Sequence, residues 1–106
     1  MVGIGELRSM ARASNQQSLK EVINELINAY RLRDGLNEVR VKEQWEQVMG
    51  KVIASKTTSL VLRNSILTVR LNSSVLRQEL LYKRGEIIQA LNNVLETEAI
   101  REIQLL

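Results

Sequence analysis

At Thr57 the hydrophobic period of this chain switches from helical to strand-like, and no all-helical or all-strand fold accommodates both patterns. Before the switch, Leu19, Val22, Ile23, Leu26, Ile27 and Tyr30 recur at i, i+3, i+4, i+7, i+8 and i+11, one stripe of a helix. Val41, Trp45, Val48, Met49, Val52 and Ile53 repeat that spacing. After it, Leu60 and Leu62 alternate with Ser59, Val61 and Arg63, and Leu67, Val69 and Leu71 alternate with Ile66, Thr68 and Arg70. Asn64-Ser65 lies between the two runs. A two-residue turn there pairs Leu62 with Leu67 and Leu60 with Val69, which puts all four on one face. Ser59, Val61, Arg63, Ile66, Thr68 and Arg70 then share the other.

Local signals bound the helices. Ser18 and Glu21 form a capping box that starts the first helix, which is expected to end near Arg31 with a break at Asp34-Gly35. A second helix is expected after Asn37, and its stripe fades by Lys56. Gly50 interrupts it, implying either a close helix contact or two short helices meeting at a bend. Asn72-Ser73-Ser74 offers caps for a long third helix running to about Leu95. Its buried face is expected to be Leu76, Leu80, Ile87, Leu91 and Val94, with Leu81, Ile88 and Leu95 alongside and a gap at Lys83-Arg84-Gly85. Ile103 and Leu105 alternate with Glu102 and Gln104 as a short final strand. The order α-α-β-β-α-β describes a single α+β domain over residues 18–106, with a three-stranded sheet packed against helices. Residues 1–17 have no sustained period and read as a lead-in.

A chain of 106 residues with 44% hydrophobic content supports one core. Trp45, Tyr30 and Tyr82 are its only aromatics, so that core is aliphatic. Histidine and cysteine are both absent, which removes the usual metal ligands, general bases and thiol nucleophiles. No cofactor, metal or small-molecule substrate is expected. No apolar run reaches bilayer length and the N-terminus has no secretory h-region, so neither membrane insertion nor export is expected. The absence of cysteine fits the cytoplasm. Glu43 with Glu46, Ser55-Lys56, and Ser9 with Arg8 are the nearest approach to catalytic groupings, and each is an ordinary surface pattern with no motif around it. Gly3-Ile4-Gly5 opens no strand-to-helix turn, and no Walker A sequence occurs. The chain is expected not to be an enzyme.

The charge is unevenly spread. Residues 57–84 carry Arg63, Arg70, Arg77, Lys83 and Arg84 against Glu79 alone, whereas residues 85–106 carry four glutamates against Arg101. The five cations suit phosphate contacts that position a nucleic acid without reading its sequence; they equally suit a solvated face. The G-x-x-G loop of KH domains and the stacking aromatics of an RRM are both missing. Val75 and Tyr82, seven residues apart, fall off the main stripe of the third helix, as either a partner contact or a cover over the core edge. Trp45 sits in the buried stripe of the second helix, as a core anchor or a partly exposed indole offered to a partner.

Ser14-Asn15-Gln16-Gln17-Ser18-Leu19, Trp45-Glu46-Gln47-Val48-Met49-Gly50, Ile53-Ala54, Thr57-Thr58, Leu67-Thr68-Val69, Asn72 to Leu80, and Leu91-Asn92 follow one another in an order and spacing that resembles the DciA-like family of bacterial replicative-helicase loaders. The Ser-Ser-Val-Leu-Arg-x-Glu-Leu version is similar to that of the Bacteroidetes branch. The resemblance implies a KH-like domain that binds the replicative DNA helicase and DNA and assists helicase loading without ATPase activity. The family's motif tryptophan corresponds to Trp45, which is expected to support helicase contact directly or through packing. From the residue readings above, Tyr82 is the second expected contact, and Arg63, Arg70, Arg77, Lys83 and Arg84 are the expected DNA contacts. Arg77 and Glu79 match the family's helix-start motif, where fixing the hairpin-to-helix corner is an equal explanation. An RNA-binding KH-like accessory protein is the alternative. Lys56 stands where the family often has His, and Ser65 and Glu96 stand where it often has Gly. The sequence ends at Leu106 without the basic extension that many members use on DNA, so weak, sequence-nonspecific, salt-sensitive binding is expected.

Overall fold

The computed structural model describes residues 16–106. Its elements are α1 (Gln16–Met49), α2 (Lys51–Lys56), β1 (Thr57–Arg63), β2 (Ile66–Leu71), α3 (Ser74–Leu81), α4 (Arg84–Leu95) and β3 (Glu102–Leu105). The expected α+β architecture and the order of helices and strands hold, with α3 and α4 together filling the place of the third helix. The expected lead-in lies outside the described residues up to position 15, while Gln16 and Gln17 are already helical. No described helix is long and apolar enough to cross a membrane.

The boundary between two compact units falls between Leu32 and Arg33. In the first, residues 18–32 carry the expected stripe, with Leu19, Val22 and Leu26 partly buried and Ile23, Ile27 and Tyr30 exposed.

The second unit holds the sheet and its core. α1 does not break at Asp34-Gly35, and Asn37 is a buried residue inside the helix, not the cap of a new one. The physical reason lies in contacts distant in sequence. Asp34 Oδ2 accepts from the Asn64 amide at 3.1 Å, Glu38 Oε1 accepts from the Leu62 amide at 2.9 Å, and Arg40 donates to the Leu95 carbonyl at 3.0 Å. With Val41 and Trp45 in the core, these ties outweigh the roughly 1 kcal/mol cost of a glycine within a helix. The break comes instead at Gly50, whose φ of 89° and ψ of 164° suit only glycine. Of the two readings of Gly50, the bend between helices is the one observed. It also turns Val52 outward, so the end of the second stripe is exposed.

β1 and β2 form an antiparallel hairpin in the expected register, with Leu62 opposite Leu67 and Leu60 opposite Val69. Asn64 and Ser65 have φ of 52° and 65°, as a two-residue turn of the hairpin-favouring hand requires. β3 adds in parallel to β2, giving the order β1-β2-β3. Leu60, Leu62, Leu67, Val69, Leu71, Ile103 and Leu105 face the helices and pack with Leu80, Ile87, Leu91 and Leu95. The expected long third helix is broken at Tyr82-Lys83, which rephases its stripe. Leu95 is therefore buried, and Val94, expected in the buried face, is 39% exposed.

Candidate functional site

The expected contact residues fall into three groups. Trp45 is only 3% exposed. Its indole Nε1 donates to Thr57 Oγ1 at 2.9 Å, and that hydroxyl donates to the Ile53 carbonyl at 2.7 Å. The relay ties α1, α2 and the start of β1 at one corner. Of the two readings of Trp45 the core anchor is the one observed.

Tyr82 is the opposite case. It caps the C-terminus of α3 and is 81% exposed, the most exposed large apolar side chain among the described residues. Val75 lies on the same side of α3, and with Ser74, Gln78 and Glu79 the two line a shallow, mainly apolar groove of about 440 Å³. The core-edge reading of Tyr82 therefore fails, because too little of the ring is covered.

The basic residues divide between two places. Arg63 and Arg70 are exposed on the sheet face away from the helices, in the register that sets Arg63 opposite Ile66 and Arg70 opposite Ser59. Lys83 and Arg84 are exposed at the turn between α3 and α4, where Arg84 Nε donates to the Leu81 carbonyl at 3.1 Å. Because α3 and α4 cover the other side of the sheet, this pair and the sheet-face pair are not brought together. Arg77 belongs to neither group. It is partly buried, its guanidinium donates to the Leu71 carbonyl at 3.3 Å, and its Nε is buried without a partner. It fixes the corner between β2 and α3, the structural reading of its motif, and Ser73 completes that corner by accepting from the Leu76 amide.

The described groupings that most resembled catalysis lie exposed on the surface. Glu43 and Glu46 are exposed on α1, and the Ser55 hydroxyl donates to the Val52 carbonyl at 2.7 Å. Ser9 with Arg8, and Gly3-Ile4-Gly5, lie outside the described residues. A wider groove of about 690 Å³ runs between α4 and the segment leading to β3, lined by residues including Asn92, Asn93, Glu96, Thr97 and Arg101.

Sequence reasoning missed two residues that hold these surfaces in place. Asn92 donates to the Ile100 carbonyl at 2.8 Å and accepts from the Ile100 amide at 3.0 Å, the double bond a neighbouring strand would make. Ile100, 1% exposed, is thereby pinned in the core although it lies in no regular element. Its only sequence signal was the Leu91-Asn92 pair within the family pattern. Arg40 gave none, since an exposed helical arginine looks the same whether or not it reaches a distant carbonyl. Glu96, at φ 56°, ends α4 in a left-handed cap, where its own amide bonds the Asn93 carbonyl and the Thr97 amide bonds the Asn92 carbonyl.

No curated protein matches the chain closely enough to add to these observations. The family model described as Dna[CI] antecedent, DciA matches residues 18–105, which takes in the Trp45 corner, the hairpin, both basic pairs and the Tyr82 surface. The chain belongs to the DciA family, a family of helicase loaders associated with DNA replication and not an enzyme family.

Proposed function

We propose that this protein is an ATP-independent adaptor that binds the replicative DNA helicase through the Val75–Tyr82 surface and assists its loading onto DNA in the cytoplasm. The observation that carries the helicase contact is Tyr82 itself, an aromatic ring 81% exposed beside Val75 at 67% on a short, well-capped helix. Exposed aromatics of this kind cover large area at low entropic cost and dominate many interfaces. Trp45 supports the surface indirectly by fixing the α1–α2–β1 corner.

DNA binding rests on Arg63 with Arg70, and on Lys83 with Arg84. Arg77 adds charge from a fixed position. Since the two pairs face different ways, a duplex engages one pair at a time. Two phosphate contacts predict a slope of log K against log salt near −2, a loss of about tenfold between roughly 50 and 200 mM salt. Four simultaneous contacts would cost about 100-fold over that range. A flat response removes the basic residues from the proposal.

The decisive experiment is capture of the purified replicative helicase at micromolar concentrations by wild type, by a Val75→Ser/Tyr82→Ser variant and by a Lys83→Gln/Arg84→Gln variant. The first variant should fold normally and lose capture; the second should keep capture and retain only the DNA binding that Arg63 and Arg70 supply. Failure of the wild type to capture helicase overturns the adaptor reading.

A further inference from the structure

β1 is an edge strand among the described residues, because the sheet order β1-β2-β3 leaves its outer side without a neighbouring strand there. Such an edge offers unpaired amides and carbonyls to any other extended chain. Leu62 points its amide outward, away from β2, since that amide donates to Glu38 Oε1 at 2.9 Å. Alternation along the strand makes Leu60 outward-facing as well, and the Asn64 amide, two residues beyond Leu62, donates to Asp34 Oδ2 at 3.1 Å. Asp34 and Glu38 are one helical turn apart on α1, so their carboxylates meet alternate amides of β1 as the carbonyls of a neighbouring strand would. Lys42, one turn further on, holds Glu38 at 3.6 Å.

We propose that Asp34 and Glu38 are edge guards, and that the strand they exclude is β1 of a second copy of this chain. Antiparallel pairing centred on Val61 sets Leu60 against Leu62 of the second copy and reciprocally, which satisfies every outward group of the two residues. The same register sets Arg63 against Ser59 of the second copy, so no like charges stand opposite each other. The hairpin is therefore self-complementary along this edge, and the two carboxylates occupy outward amides along it. The consequence is a chain that does not extend its sheet at β1.

The test compares wild type with an Asp34→Ala/Glu38→Ala variant, and with an Asp34→Asn/Glu38→Gln variant that keeps an acceptor oxygen at each position. Circular dichroism checks folding, and sedimentation across a concentration series reads mass. A Val61→Cys substitution in each background reports the register, because the two Val61 positions form a non-hydrogen-bonded pair at about 4.5 Å between Cα atoms, within disulfide range. The chain itself contains no cysteine, so any disulfide must form through the introduced thiol. The alanine variant should show an about twofold rise in mass and cross-link under oxidation. The wild-type and amide backgrounds should do neither. A folded alanine variant that gains no mass and does not cross-link overturns the proposal, as does equal cross-linking in the wild-type background.

Discussion

Replacing Trp45 with phenylalanine separates packing from partner contact. The ring stays apolar and the site is 3% exposed, so the surface seen by a partner is unchanged. Phenylalanine removes the Nε1 bond to Thr57 Oγ1, a net loss of about 0.5–1.5 kcal/mol. The hydroxyl keeps its own bond to the Ile53 carbonyl, so no buried donor is left unpaired. The smaller ring leaves a void that adds about 1 kcal/mol. The total is about 2 kcal/mol, against about 3–5 kcal/mol for Trp45→Ala. At about 4–8 °C per kcal/mol for a domain of this size, Trp45→Phe lowers Tm by about 8–16 °C. Thr57→Val breaks the same relay from the other end without touching the indole, and should cost about 1–2 kcal/mol. Thermal unfolding followed by circular dichroism measures both, and helicase capture is then compared at a temperature where all proteins are folded. Both variants should capture helicase about as well as wild type does. A Trp45→Phe protein with unchanged Tm and no capture would refute the reasoning, since only an indole in direct contact with the partner produces that result.

Gly35→Ala should stabilise by about 1 kcal/mol, because Gly35 is helical and a Cβ there meets nothing within 4 Å, whereas Gly50→Ala should destabilise by about 2 kcal/mol through its backbone angles alone; urea titration reads both. Ser65→Gly relieves a left-handed residue at φ 65°. Set against glycine's greater chain entropy, it should raise stability by about 0.5–1 kcal/mol in the same titration. Asn92→Ala removes both bonds to Ile100 and leaves its buried backbone unpaired, a cost of about 2–4 kcal/mol, with faster amide exchange at Ile100 as the local readout.

The hairpin register was legible because two independent signals, the period-two pattern and the Asn64-Ser65 spacing, demanded the same pairing. The final strand was legible from its alternation alone, although its parallel placement beside β2 was not. Helix boundaries were misread where local propensity competes with distant contacts. Asp34-Gly35 looks like a turn to anything that sees only its neighbours, whereas in the fold Asp34 lies within the helix and its carboxylate accepts from Asn64, thirty residues away. At the candidate site, Tyr82 and Val75 were legible as residues off the main stripe. The separation of Arg63 and Arg70 from Lys83 and Arg84 was not, since charge along a sequence says nothing of which side of a sheet it reaches. The positions where the family often has glycine proved informative, as Ser65 and Glu96 both adopt the left-handed backbone that glycine would take without strain.

The Ser65 carbonyl also accepts from the amides of Arg101 at 2.8 Å and Glu102 at 3.3 Å, so the residue that closes the hairpin is where β3 begins to dock. These two tasks belong to different moments of folding. A two-residue turn closes almost without loop entropy, while β3 must pair across a separation of 36 residues. The turn therefore presents a formed landing point before its distant partner arrives. Changes at Ser65 should then appear mainly in the rate of folding, and changes at Ile103 or Leu105 mainly in the rate of unfolding.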